Sequence, residues 1–98
     1  MATEYRGTYI AASTPALVHT GAGWLSGVVA SHAQAAAQTV TIYDNVAAAG
    51  VPALVVHVAP GASPAVIMLT PAQAVGFSTG LYVDPGGCDV GVWAAGKT

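Results

Sequence analysis

Charge is what this sequence has least of. Two Lys/Arg and four Asp/Glu make up 6% of its 98 residues, against about 25% in ordinary soluble domains. Arg6 and Lys97 are the whole basic complement, so the chain lacks the positive field that draws a protein to phosphate, and no nucleic-acid partner is expected. Cysteine is almost missing too. Cys88 stands alone, which forbids an internal disulfide and points to synthesis in a reducing cytosol, with the fold held by packing alone. Long apolar runs are absent: the strongest, Val51 to Ala59, contains Pro52 and His57 and stops at Pro60-Gly61. A spanning helix needs about 20 predominantly apolar residues, so no membrane partner is expected either. The start, MATEYRGTYI, has neither the basic beginning nor the apolar middle of a signal peptide. Good helix formers gather only in His32 to Gln38, HAQAAAQ. Such a segment is too short to hold a helix and reads as a loop with room for one helical turn.

What remains is apolar and small. Hydrophobic residues, many of them Ala and Val, form 54% of the chain, and the mean hydropathy is +0.62. The length suits a single domain, residues 1–98, with a modest core. A domain of this size exposes many of its residues, and here those must be largely Ala, Gly, Ser and Thr. Such a surface is poorly defended against association, so much of it is expected to be covered by identical or different subunits.

The strand signals come in order. Glu4 to Ala12 (EYRGTYIAA) alternates weakly and reads as a first strand at an edge, with residues 1–12 an edge strand or arm; Ser13-Thr14-Pro15 interrupts it. Ala16 to His32 (ALVHTGAGWLSGVVASH) is two apolar runs joined by Thr20-Gly21-Ala22-Gly23. It reads as a β-hairpin, the first of a series reaching to the C-terminus. Thr39-Val40-Thr41-Ile42-Tyr43 is the cleanest strand, β-branched at four of five places, and Asp44-Asn45 ends it with turn chemistry. Ala53 to Val58 and Ala65 to Leu69 are apolar on both faces, as strands covered on both sides are. Between them Pro60-Gly61-Ala62-Ser63-Pro64 makes a turn, and Pro71 to Gly76 makes a connection. Phe77 to Val83 reads as one strand around Gly80, Asp84-Pro85-Gly86-Gly87 as the strongest turn, and Cys88 to Ala94 as the last strand. About eight short antiparallel strands at near-regular spacing predict an all-β domain, a β-sandwich or a jelly-roll-like barrel.

No motif assembles a catalytic, cofactor or metal site. Gly76-Phe77-Ser78-Thr79-Gly80 matches the G-x-S-x-G nucleophile elbow, but strand residues follow it and His19, His32 and His57 all precede Ser78. Gly21-Ala22-Gly23 opens a dinucleotide fingerprint that fails at Ser26, where the third glycine should stand. The three histidines lack metal-ligand spacing, and Cys88 has no C-x-x-C partner. His57, inside an apolar strand, is expected to pack in a core or interface. Asp84 and Asp89 flank one turn but offer too few oxygens for calcium. Tyr5, Tyr9, Trp24, Tyr43, Phe77, Tyr82 and Trp93 could make a sugar-stacking platform, yet few carboxylates and amides accompany them. Packing by Trp24 and Trp93 is the more economical expectation.

Three stretches carry a resemblance: Ser13-Thr14-Pro15-Ala16-Leu17-Val18 with Thr20-Gly21-Ala22-Gly23, Leu25 and Gly27-Val28; Thr39 to Asn45; and Phe77 to Val83 followed by a Gly-rich turn and Asp89-Val90-Gly91-Val92. In this order they resemble a class of small tailed-bacteriophage virion proteins. The ending Val92-Trp93-Ala94-Ala95 departs from the class's usual polar-aromatic close. The resemblance implies a small β-sandwich without catalytic residues, made in the host cytoplasm and resident on the virion. It implies a capsid decoration (cement) protein or a head-associated knob; together with the charge-poor surface, the expectation is a cement protein that binds the major capsid protein as a homo-oligomer, a trimer first. The alternative is a tail or fibre module that touches a host glycan through exposed aromatics. A small hydrolase around Ser78 is a formal third reading.

Overall fold

The computed structural model describes residues 6–60, 65–68 and 74–96. They form nine strands and no helix: β1 (Arg6–Ile10), β2 (Ala16–Thr20), β3 (Gly23–Ser31), β4 (Gln38–Tyr43), β5 (Pro52–Val58), β6 (Ala65–Met68), β7 (Val75–Phe77), β8 (Gly80–Asp84) and β9 (Asp89–Gly96). The pairing nests as though the chain were one hairpin folded at its midpoint. Arg6 lies opposite Ala94, Ala16 opposite Val83, Gly23 opposite Phe77, Ala30 opposite Ala65, and Tyr43 opposite Pro52. This long double strand is rolled up, with β9 meeting β3 and β8 meeting β4. The roll gives two antiparallel sheets. Sheet A runs β1-β9-β3-β6, with β7 also on β3, and sheet B runs β2-β8-β4-β5. If β6 and β7 are taken as one interrupted edge strand, the connectivity is that of an eight-stranded jelly roll.

That topology corrects the hairpin expectation for Ala16 to His32, because β2 and β3 belong to different sheets. The glycine-rich loop between them is a crossing. Its Gly21 N–H donates to Thr79 O at 2.9 Å, tying it to the parallel crossing from β7 to β8. The second pair of crossings is tied the same way, Ser13 N–H to Gly86 O at 2.7 Å. Turn residues serve a reversal and a sheet-to-sheet crossing alike, so loop chemistry alone could not separate them. Of the sequence-adjacent strands only β4 and β5 form a hairpin among the described residues.

Phe77 to Val83 is likewise divided between two strands, one per sheet, and broken at Ser78-Thr79; the first of them, β7, starts at Val75, inside the stretch expected as a connection. β1 is an edge strand, as its weak alternation implied, and His32 to Gln38 forms no helix. The turn at Asp84 to Gly87 forms as expected: Gly86 sits at φ +57°, where glycine carries no Cβ penalty, and its N–H donates to Asp84 Oδ1 at 3.1 Å. The turn expected at Pro60 to Pro64 reaches beyond Pro60 into residues outside those described, as do parts of the stretches Glu4 to Ala12, Ala65 to Leu69 and Pro71 to Gly76.

The core fills the gap between sheets. Sheet A contributes Ile10, Leu25, Val28, Ala30, Phe77, Val90, Val92 and Ala94; sheet B contributes Val40, Ile42, Val56, Val58, Leu81 and Val83; the β8–β9 turn adds Cys88. Period-two alternation explains most of these, but Leu25 and Val28 both point inward only because the register of β3 against β9 shifts between Leu25 and Gly27. Such a bulge inserts one residue and re-phases the strand. The extra residue, Ser26, is buried and its hydroxyl reaches Trp93 O at 3.4 Å. β5 was expected to be covered on both faces; its own chain covers one, with Val56 and Val58 buried and Val55 and His57 exposed. Because Ile42 is fully buried and Val55 is not, Ile42→Ala should lower the unfolding free energy by about 2–5 kcal/mol. Val55→Thr should change it by less than about 0.5 kcal/mol. Urea denaturation of the two variants checks this.

Candidate interaction faces

With the core filled, the alternate residues of each strand make two outer faces. On sheet B one row crosses all four strands: Leu17 opposite Tyr82, Tyr82 opposite Tyr43, and Tyr43 opposite Pro52. The two phenol rings lie 6.5 Å apart, tilted at 58°. Leu17 is 44% exposed, and beyond Pro52 the loop carries Val51 at 89%. The next rows hold Asp84, Thr41 and Val55, then Thr39 and His57. Asp84, whose carboxylate accepts from the Gly86 amide, is the one charged group in these rows; the rest of the face is apolar, hydroxylic or imidazole among the described residues.

On sheet A the outer face carries both tryptophans. Trp93 on β9 stands between Gly7 of β1 and Gly27 of β3, and Trp24 on β3 between Ala95 and Gly76. A Cβ on Gly7 would lie 3.3 Å from Trp93 Nε1, and one on Gly76 3.0 Å from Trp24 Cζ3. The absence of those side chains lets each indole lie down on the strand beside it. Both rings are half-buried, and neither belongs to the sandwich core, so packing inside the sheets does not explain them. Between Tyr9 and Trp93 lies a shallow depression floored by Gly7 and Gly91. Tyr9 is 70% exposed and its hydroxyl donates to Asp89 Oδ1 at 2.9 Å. That bond, with smaller contributions from burial and the Asp89 charge, raises the phenol pKa.

The motif residues fall into structural roles. Ser78 N–H donates to both Asp44 carboxylate oxygens at 3.0 Å, Thr79 N–H to Oδ1 at 2.8 Å and Gly80 N–H to Oδ1 at 3.4 Å, while Ser78 Oγ donates to Oδ2 at 3.2 Å. Asp44 therefore clamps the β7–β8 crossing, and the Ser78 hydroxyl is directed at a carboxylate, where an elbow serine would need an imidazole. The amides of Thr79 and Ser78 favour the ionised form and hold the Asp44 pKa below the ordinary carboxylate value. Gly21-Ala22-Gly23 leads into a strand, so no helix N-terminus faces it.

The histidines lie apart. His19 packs edge-on against Phe77 with ring centroids 5.7 Å apart. His57, expected in a core or an interface, is not in the core: it is exposed on the outer face of sheet B, with Nδ1 3.4 Å from Thr39 Oγ1. The buried histidine is instead His32. Its Nδ1 accepts from Gln34 N–H at 3.0 Å, which leaves Nε2–H to donate to Val58 O at 3.3 Å. No group of three or more His, Cys, Asp or Glu converges among the described residues. Cys88 is buried in the core, where desolvation first and then Asp89 raise its thiol pKa. Asp84 and Asp89 point to different partners, Gly86 N–H for the first and Tyr9 and Ala12 N–H for the second. Tyr5 lies outside the described residues.

Comparison with family models, curated proteins and solved structures finds no match to this chain.

Sequence reasoning missed Asp44 as a structural group. Its only signal was a turn-forming Asp after the cleanest strand, which does not reveal a bond to amides more than thirty residues away. Because the folded pKa is depressed, the clamp contributes fully above the unfolded value near 3.8 and is lost as pH falls through the folded value. Asp44→Asn should lower the melting temperature at neutral pH and flatten its fall below pH 3.8. Calorimetry of both proteins from pH 6 to 2, run as a series, checks it.

Proposed function

We propose that this chain is a non-enzymatic structural subunit of a tailed-phage virion, a decoration protein that attaches to the capsid as a homo-oligomer. One observation carries the reading: the row Leu17, Tyr82, Tyr43 and Pro52 spans the outer face of sheet B, where among the described residues Asp84, bonded to the Gly86 amide, is the one charge beside it. Apolar area removed from water contributes about 25 cal/mol per Å² before association costs. A sheet face of this kind, repeated around a symmetric lattice, turns modest single contacts into firm attachment. The open edge of β1 adds a second means, since strand pairing needs only unpaired backbone groups. The likeness in sequence to small virion proteins and the jelly-roll connectivity support the same reading.

A second reading has its own observation. The flattened indoles and the depression between Tyr9 and Trp93 resemble a platform on which a sugar ring could stack, with Asp89 at the rim. It assigns the chain to a tail or fibre module that contacts a host glycan.

Heads lacking the protein, mixed with it and sedimented, separate these readings. Attachment should be stoichiometric, should persist at high salt because few ion pairs are available to screen, and should be lost in Tyr82→Lys but kept in Trp93→Ala. No binding at low or high salt would reject the decoration role. Glycan binding lost in Trp93→Ala would favour the module.

A further inference from the structure

The described charges are treated unequally. Each of the three acids is engaged internally: Asp44 by the Ser78 to Gly80 amides, Asp84 by Gly86 N–H, and Asp89 by Tyr9 and Ala12. The side chain of Arg6, the one described arginine or lysine, makes no hydrogen bond or ion pair among the described residues. It lies in β1 on the alternation shared with Thr8 and Ile10, opposite Ala94, which turns it toward the open end of the sandwich between β1 and β2. There a cavity of about 320 Å³ is lined by Arg6, Thr8, Val18, His19 and the Ala94–Gly96 segment. The His19 ring is held in place, edge-on to Phe77 and against Gly96, where a Cβ would come within 2.9 Å of its Cε1.

We infer that this cavity is a binding site for a carboxylate on a short apolar stem. A guanidinium presents a planar fork matched to two carboxylate oxygens, the Thr8 hydroxyl can donate beside it, and its single positive charge balances one negative charge. Val18, Ala94 and Ala95 supply apolar wall for the carbon atoms behind the carboxyl group. An acidic side chain of a docked protein and a free small acid share this chemistry. The inference does not depend on attachment to a capsid.

Backbone and arginine side-chain NMR shifts can be followed while propionate, acetate or inorganic phosphate replaces chloride at constant ionic strength. Propionate should give saturable shifts at Arg6 Nε, Thr8, His19, Ala95 and Gly96, and should bind at least as well as acetate. Arg6→Gln, on an exposed edge position, should weaken it by about tenfold or more, and Thr8→Val by a smaller factor. A peptide carrying one glutamate that binds at the same residues more tightly than propionate identifies a protein side chain as the source; a free acid is the source if it binds no better. Shifts that never saturate, or that are the same in Arg6→Gln, would overturn the site. Tighter binding of phosphate than of propionate at these residues would overturn the carboxylate assignment.

Discussion

The pairing of β3 with β9 closes the molecule, and most other features follow from it. It is the longest ladder, running from Gly23 opposite Gly96 to Ser31 opposite Asp89, and it joins the first half of the chain to its end. Without it the nested double strand would be an open ribbon with one wet and one apolar side. With it, the ribbon is rolled so that its apolar side faces itself. The bulge at Ser26 keeps Leu25 and Val28 both inside that closure. The two pairs of crossings, Gly21 with Thr79 and Ser13 with Gly86, are the bends the roll demands, and Asp44 secures one of them. Most pairings span much of the chain, so folding is expected to be slow compared with helical domains of this size.

The same closure decides what is left outside. A rolled sandwich buries one face of each sheet and presents the other, and a sequence with so few charged residues has little to put there but hydroxyls, glycines and aromatics. Each of the described acids accepts from a backbone amide, where it fixes a turn, a crossing or the segment after β1. The outer faces are left as two smooth surfaces, one crossed by Tyr82 and Tyr43, the other covered by the indoles of Trp93 and Trp24. Surfaces of this kind lower their free energy by being covered.

Much of the strand content was legible in the sequence. Thr39 to Tyr43 alternates with β-branched residues and is β4 within one residue; Asp84 to Gly87 has the proline and glycines of its turn; and the total of about eight strands differs from nine because the Phe77 to Val83 stretch is broken and a short strand, β7, extends back over Val75 and Gly76, where a connection was expected. Pairing was not legible. Thr20 to Gly23 has the composition of a hairpin loop, and only the distant partners of Leu17 and Leu25, Tyr82 and Ala94, reveal a crossing. The site residues split the same way. The aromatics were visible as a set, but their division among the core, which takes Phe77, and two outer faces depends on which sheet each strand joins. The histidine buried within the chain is His32, while His57 stands on the outer face of sheet B; the burial of His32 comes from a loop lying against the end of β5, which leaves no periodic trace.

The central claim is that the outer face of sheet B is an interface, and hydroxyl-radical footprinting of the protein free and attached to heads tests it most directly. The account predicts that Tyr43 and Tyr82 react with radicals in the free protein and lose that reactivity on attachment, while Tyr9 and Trp93 on the opposite sheet keep theirs. Equal reactivity of Tyr43 and Tyr82 in the two states would contradict it.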